Sequence, residues 1–164
     1  MLVGDYMSKF FKTLLEYIKV IVVTVIVTYC LLYFVQVSRV VGDSMEPNYS
    51  QNDIVLVNKI FYNTPEHNDI VVVRYEDEMI IKRVIGIEGD TIEVKDNQLY
   101  RNGALVEEDY ILEDMVTSDF YIEIGEGEIF VMGDNRNISL DSRIVGTFDF
   151  DEDVVGEVFF KLSF

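Results

Sequence analysis

Apolar and polar positions divide the chain at Arg39. Before it, Val20 to Ser38 form a run of 19 residues without a charge, closed by Lys19 and Arg39. Between its ends only Thr24, Thr28 and Gln36 are polar, so the run lacks the solvent-facing stripe that a core helix carries. At 1.5 Å per residue a helix of this length covers about 28 Å, close to the hydrocarbon thickness of a bilayer. A cleaved leader typically has a shorter apolar core, about 7–15 residues, ending at a small-residue site. No such site follows here, so a retained transmembrane anchor is expected over residues 20–38.

After Arg39 the pattern changes to short β-type runs parted by turn residues. Ile54 to Lys59 follows Asn52-Asp53, Ile70 to Tyr75 follows Asn68-Asp69, and Met79 to Ile87 follows Glu76-Asp77-Glu78. Thr91 to Val94, Ile129 to Met132 and Val154 to Leu162 continue the series. Asp96-Asn97 and Asn102-Gly103 flank Gln98-Leu99-Tyr100 as two hairpin-turn signals. Branched and aromatic residues are dense and prolines number only two, which predicts a mostly β, antiparallel fold for residues 39–164. No linker or repeat breaks this part into further domains. Glu107 to Ile124 is acidic and irregular, with no clear period.

Hydrophobic residues make up 49% of the chain beside 26% charged ones, and the apolar run reconciles the two by segregation. Residues 1–19 carry three lysines against Asp5 and Glu16, a net +1, whereas residues 39–164 carry 10 basic and 28 acidic residues, a net −18. Positive charge ahead of the first span predicts a cytoplasmic segment over 1–19 and an extracytoplasmic domain over 39–164, a single-pass protein of the cell membrane. The acidic outer part argues against nucleic acid as a partner. Cys30, the only cysteine, lies within the apolar run, which rules out an internal disulfide and a thiol zinc cluster. His67 is also alone, in the polar stretch Asn63 to Asp69, and reads as a solvated loop residue.

Three stretches carry candidate chemistry. In Gly42-Asp43-Ser44-Met45-Glu46-Pro47, glycine and proline oppose a helix, so Ser44 belongs to a turn or strand end. Turn serines commonly just bond their own backbone. In Ile80-Ile81-Lys82-Arg83-Val84, alternation puts Ile80, Lys82 and Val84 on one face and Ile81 and Arg83 on the other. Lys82 is then either an edge-strand guard against aggregation or a desolvated amine able to take a proton from a serine, as in Ser-Lys catalysis. The third stretch, Gly133 to Arg143, packs two aspartates, two asparagines, two serines and two arginines between apolar runs. It suits a surface loop or a scaffold locked by Arg-carboxylate pairs.

Behind one N-terminal anchor, the three stretches together resemble the bacterial type I signal peptidases, peptidase family S26, in their short Gram-positive-like form. Gly133 to Arg143 matches that family's G-D-N-R-x-x-S-x-D-S-R box at every fixed position, Gly42 to Pro47 its nucleophile box, and Lys82 to Gly86 with Gly89-Asp90 its lysine box. The resemblance implies a membrane-anchored serine endopeptidase that removes signal peptides from exported preproteins, with an extracytoplasmic fold of antiparallel sheets resting on the bilayer. It implies Ser44 as nucleophile and Lys82 as general base, Ser139 hydrogen-bonded to the lysine, and Asp141, Arg143 and Arg83 in support. Val40, Tyr49, Ile80 and Ile81 would wall shallow pockets for small residues at the −1 and −3 positions. No metal or cofactor is required.

The chain departs from the family pattern in two places. After Pro47 the family usually has Thr-Leu, where this chain has Asn48-Tyr49. Two positions before the nucleophile some members carry a hydroxyl that helps bind the oxyanion; here stands Gly42, as in many Gram-positive members, which leaves the second oxyanion donor unassigned. Two rival readings fit parts of the pattern. One is a non-catalytic relative that assembles surface polymers such as pili, a group that has lost the serine or the lysine. The other is a self-cleaving Ser-Lys regulator of the LexA type, which lacks the anchor and the Gly-Asp-Asn-Arg box.

Overall fold

The structure, a computed structural model, describes residues 2–163, which fall into two units parting between Val35 and Gln36. The first holds a single helix, α1 (Leu2–Phe34). Within it Lys9–Phe34 is long and apolar enough to cross a membrane, by length and composition. The helix therefore starts well before the expected anchor and stops four residues short of its expected end. Val35 to Ser38 belong instead to strand β1 (Val35–Arg39). There Val35 and Val37 alternate with Gln36 and Ser38, the period of a strand and not of a helix.

The second unit is built from β-strands, as the turn-punctuated pattern predicts. Its larger sheet contains β1, β2 (Ile54–Asn58), β3 (Ile70–Tyr75), β4 (Glu78–Ile87), β9 (Glu128–Met132), β10 (Phe148–Asp149) and β11 (Val154–Leu162). Their order is β1-β2-β11-β3-β4-β9-β10, so the last strand is inserted between β2 and β3 and pairs antiparallel with both. A smaller sheet, β7-β6-β5-β8, joins β5 (Thr91–Lys95), β6 (Gln98–Arg101), β7 (Ala104–Leu105) and β8 (Phe120–Glu123). Both predicted hairpin turns are present. Asp96 and Asn97 have φ of 50° and 62°, and Asn102 and Gly103 have 54° and 76°, the double left-handed geometry that matches strand twist. Two one-turn helices, α2 (Ser142–Val145) and α3 (Phe150–Asp153), complete the unit.

Alternation along the strands sorts the core into three clusters. Val71, Val73, Val84, Ile129 and Val131 pack on one face of the large sheet, joined by Ile80. Val40, Met45, Val57 and Val72 form a second cluster with Ile81 against it, and Ile85, Ile92, Phe130 and Met132 a third with the small sheet. Ile80 and Val84 thus share a face that excludes Ile81, as the period of two requires. β9 pairs with β4 only from Arg83 onward, but Lys82 is 2% exposed with its Nζ against Ser44, so the edge-guard reading does not apply to it.

His67 is not a freely solvated loop residue. Its Nε2 lies 2.6 Å from Asp90 Oδ2, and its side chain is 33% exposed. Asp90 also accepts hydrogen bonds from Ile87 N and Asn102 Nδ2, so the loop before β3 is fastened to the corner between β4 and β5. Sequence spacing did not point to this pair because the partners come from different strands' connections.

Candidate active site

The segment after β1 is laid against the segment before β2. Val40 N donates to Asp53 O (2.8 Å), Asn52 N to Val40 O (3.0 Å), and Gly42 N to Gln51 Oε1 (2.6 Å). Gly42 has φ of +87°, which residues with a Cβ rarely adopt, and from it the chain enters the turn that presents Ser44. Met45 is 1% exposed and anchors that turn in the second core cluster. Asn135 holds it from the other side: its backbone N donates to Ser44 O (3.0 Å) and its Nδ2 to Asp43 O (3.2 Å). The backbone N–H of Ser44 is engaged in no hydrogen bond among the described residues.

Lys82 projects to the same place from β4. Its Nζ lies 2.9 Å from Ser44 Oγ and donates to Ile81 O at 2.8 Å. The residue is 2% exposed. Burial disfavours the ammonium, and the attraction of Asp141 and Asp134 only partly offsets it, so the pKa falls from 10.5 to about 8. A buried amine with a serine hydroxyl in hydrogen-bond reach can exchange a proton with it.

The stretch Gly133 to Arg143 braces this pair from behind. Asp141 accepts from Gly133 N (3.0 Å) and from Arg143 Nε and Nη2 (2.8 Å each), a bidentate fork, while capping α2 through Arg143 N. Arg143 Nη2 also donates to Arg136 O, and Arg136, 1% exposed, donates through Nε to Gly133 O with its Nη2 2.5 Å from Glu108 Oε1. Arg83 makes a second fork to buried Asp134, 2.7 Å on each arm, with the Tyr110 ring 4.1 Å from its guanidinium carbon. Asn48, which stands where the family usually has threonine, bonds Asp134 Oδ2 (2.8 Å) and Tyr110 O (2.6 Å). Its amide therefore ties the Ser44 turn to the Arg83–Asp134 pair.

Two expectations are corrected. Ser139 does not hydrogen-bond Lys82: its Oγ is buried without a hydrogen-bond partner among the described residues, because the lysine's bonds go to Ser44 and to the Ile81 carbonyl. Ser139 instead lies against Gly133, where an added Cβ would come within 2.3 Å of Ser139 Oγ and 2.4 Å of Ser44 O. Tyr49 is not in the groove wall. A groove of about 300 Å³ beside the pair is lined by Val40, Val41, Ser44, Ile80, Ile81 and Lys82 among others, so three of the four expected wall residues are there. Tyr49 N closes a turn onto Met45 O (2.8 Å), and its ring is seated 5.2 Å from Lys161 Nζ on β11. Asn135, Arg136 and Tyr110 were not singled out from sequence. The first two stood inside the recognised box; Tyr110, in the aperiodic acidic stretch, carried no signal.

The model of the family described as "Signal peptidase, peptidase S26" matches residues 14–163. Signal peptidase I S of Bacillus subtilis is 38% identical over 146 residues, spanning 80% of this chain and 79% of its own. Signal peptidase IB of Staphylococcus aureus is 33% identical, spanning 92% and 90%. The crystal structure of a signal peptidase I from Enterococcus faecalis superposes with a TM-score of 0.53 at 32% identity, over 59% of this chain and 98% of that one.

Proposed function

The chain belongs to the signal peptidase family, peptidase S26, as an enzyme of the type I class, and on that premise we propose that Ser44 is its nucleophile and Lys82 its general base. The observation that carries this is the 2.9 Å approach of Lys82 Nζ to Ser44 Oγ inside a site where the amine titrates at about 8. At pH 7 about a tenth of such lysines are neutral, several hundred times the fraction of a free lysine. Neutral Nζ takes the proton of Ser44 as Oγ attacks the scissile carbonyl of a signal peptide. The unpaired Ser44 N–H is placed to donate to the oxyanion that forms. The ammonium then protonates the departing amine as the C–N bond breaks, leaving an acyl-serine. Lys82, neutral again, deprotonates a water that attacks the ester, and the proton returns to Ser44 as the signal peptide leaves.

Val40, Ile80 and Ile81 give the groove aliphatic walls suited to small apolar side chains beside the scissile bond. Asp141 with Arg143, and Asp134 with Arg83, hold the segment behind the pair, and Ser139 packs under Gly133. The apolar helix serves as a single membrane anchor, with Lys9, Lys12 and Lys19 keeping the N-terminus cytoplasmic and the β-unit outside. Anchoring confines enzyme and membrane-embedded preprotein to one surface and raises their effective concentration. The test is cleavage of an exported precursor by the full chain in detergent. Cleavage at the signal-peptide junction that disappears in Ser44→Ala is the expected result; undiminished cleavage by Ser44→Ala refutes the assignment.

A further inference from the structure

The aperiodic stretch after β7 is fastened to the residues behind Lys82, and Tyr110 makes most of the attachments. Its carbonyl accepts Asn48 Nδ2 at 2.6 Å, and two residues further on Leu112 N donates to Asp134 O at 3.1 Å. The guanidinium carbons of Arg83 and Arg136 lie over its ring, 4.1 Å and 5.8 Å from the centroid, both within cation–π reach. Its hydroxyl donates to Glu108 Oε1 at 3.2 Å, the same oxygen that pairs with Arg136 Nη2. Burial, and after it the Glu108 carboxylate, push that hydroxyl up to about 12, so the phenol stays a neutral donor at working pH.

Arg83 follows Lys82 in β4 and forks onto both oxygens of buried Asp134, while Asn48 Nδ2 takes a second bond to Oδ2. Asp134 is one of two carboxylates whose charge is felt at Lys82. A carboxylate near an amine favours the ammonium, and a fixed cation on that carboxylate weakens the pull. The other carboxylate, Asp141, has its own fork from Arg143, which makes no contact with Tyr110. Tyr49 feels the charges of both Asp134 and Arg83, and on the groove side Arg39 and Glu78 stand exposed at the rim. Of these groups, Arg83 and Asn48 are the ones that Tyr110 holds.

We propose that Tyr110 is a positioning residue for Lys82: its ring holds the Arg83 fork on Asp134 and its carbonyl holds the Asn48 amide there, so that the Asp134 charge stays answered near the amine. This rests on the reading of Lys82 as the general base. Tyr110 touches neither the amine nor the groove lining and takes no proton in the reaction. With the ring gone, the fork loosens, Asp134 pulls harder on the ammonium, and Lys82 keeps its proton to higher pH.

The test is the pH profile of kcat/KM for the full chain in detergent, on a synthetic peptide spanning a signal-peptide junction. In Tyr110→Leu the limb should move up by about half a pH unit or more, so that activity at pH 7 relative to pH 9.5 falls about threefold. Tyr110→Phe keeps the ring and the carbonyl and should leave the limb in place. A residue that only packed the fold would lower the whole profile without moving the limb. Where Tyr110→Leu does not fold, Tyr110→Met, which fills more of the ring's volume, should show the same displacement. Combined with Asp134→Asn, Tyr110→Leu should cause no further displacement, because no carboxylate is left to release. An unmoved limb in folded Tyr110→Leu or Tyr110→Met, or an equal displacement in the Asp134→Asn background, overturns the role of Tyr110 alone. Cleavage at the parent rate by Lys82→Arg overturns the general-base reading and this inference with it.

Discussion

The carbonyl oxygen of Ser44 accepts the backbone N–H of Asn135 at 3.0 Å, while the Asn135 side chain reaches the carbonyl of Asp43 at 3.2 Å. One residue of the Gly133 to Arg143 stretch thus grips two successive peptide units of the Ser44 turn. The backbone bond survives substitution of the side chain; the second bond does not. Asn135→Ala should therefore cost about 1–2 kcal/mol in urea denaturation, the value of a partly buried hydrogen bond. It should lower kcat by about 10–10²-fold through misplacement of Oγ, with KM nearly unchanged. Unaltered kcat in a folded Asn135→Ala protein would show that Asn135 only completes the fold.

Ser44→Ala, Lys82→Ala and the double variant should be equally inactive on a precursor, because a nucleophile and its base fail together. Lys82→Arg should be as inactive as Lys82→Ala, since a guanidinium stays protonated at any working pH. In the parent enzyme kcat/KM should rise with pH along a limb near 8, where the buried amine loses its proton. Cleavage by Lys82→Arg at the parent rate would remove the lysine from the mechanism.

The depressed pKa of Lys82 also makes a stability forecast. At Lys82, near 10.5 in the unfolded chain, the unfolded state holds the proton that the folded state has lost between pH 8 and 10.5, so this residue's contribution to folding stability rises with pH across that window. Below pH 8 the folded protein bears the full penalty of burying an ammonium, about 3 kcal/mol by the size of the shift. Lys82→Met should accordingly be inactive but more stable at pH 7, with a gain that shrinks above pH 8. Thermal unfolding at pH 6.5 and pH 9.5 reads it, and an equal change at both would contradict the burial argument.

Gly42 and Gly133 should respond differently to the same methyl group. At Gly42 an added Cβ meets nothing within 4 Å, so Gly42→Ala carries only the strain of φ +87°, about 1 kcal/mol or somewhat more. At Gly133 it would meet the Ser44 carbonyl at 2.4 Å, and a backbone atom cannot step aside without moving Ser44. Gly133→Ala should abolish cleavage even where the fold persists, whereas Gly42→Ala should fold and retain measurable activity. The ratio of the two kcat values is the measurement, and parity between them would refute the placement of Ser44 O against Gly133.

Much of the architecture was legible in the order of residues. Short runs of branched and aromatic residues bounded by Asn, Asp and Gly predicted β2, β3, β4, β5, β9 and β11 almost to the residue, and Asp96-Asn97 and Asn102-Gly103 marked the two hairpins around β6. These are local properties: a left-handed turn or an alternating strand is decided by neighbours in sequence. The likeness of Gly42 to Pro47, Lys82 to Asp90 and Gly133 to Arg143 to three boxes of one family marked the stretches that meet in space, although it did not state how they touch.

Tertiary structure decided everything that depends on which strand lies next to which. The meeting of the Ser44 turn with β4 leaves Lys82 2% exposed, a desolvated amine and not an edge guard. Packing also turned Tyr49 toward Lys161 and left Ser139 against Gly133 in place of the lysine. It brought His67 to Asp90 and placed Tyr110, from an aperiodic stretch, on Arg83. The helix ended at Phe34 because Val35 to Ser38 joined a sheet, a choice that hydrophobicity alone does not distinguish from a longer span. The physical reason is common to all of them: the chain carries the residue types, but burial, charge pairing and hydrogen-bond partners are set by contacts between segments far apart in sequence, and those exist only once the sheets have assembled.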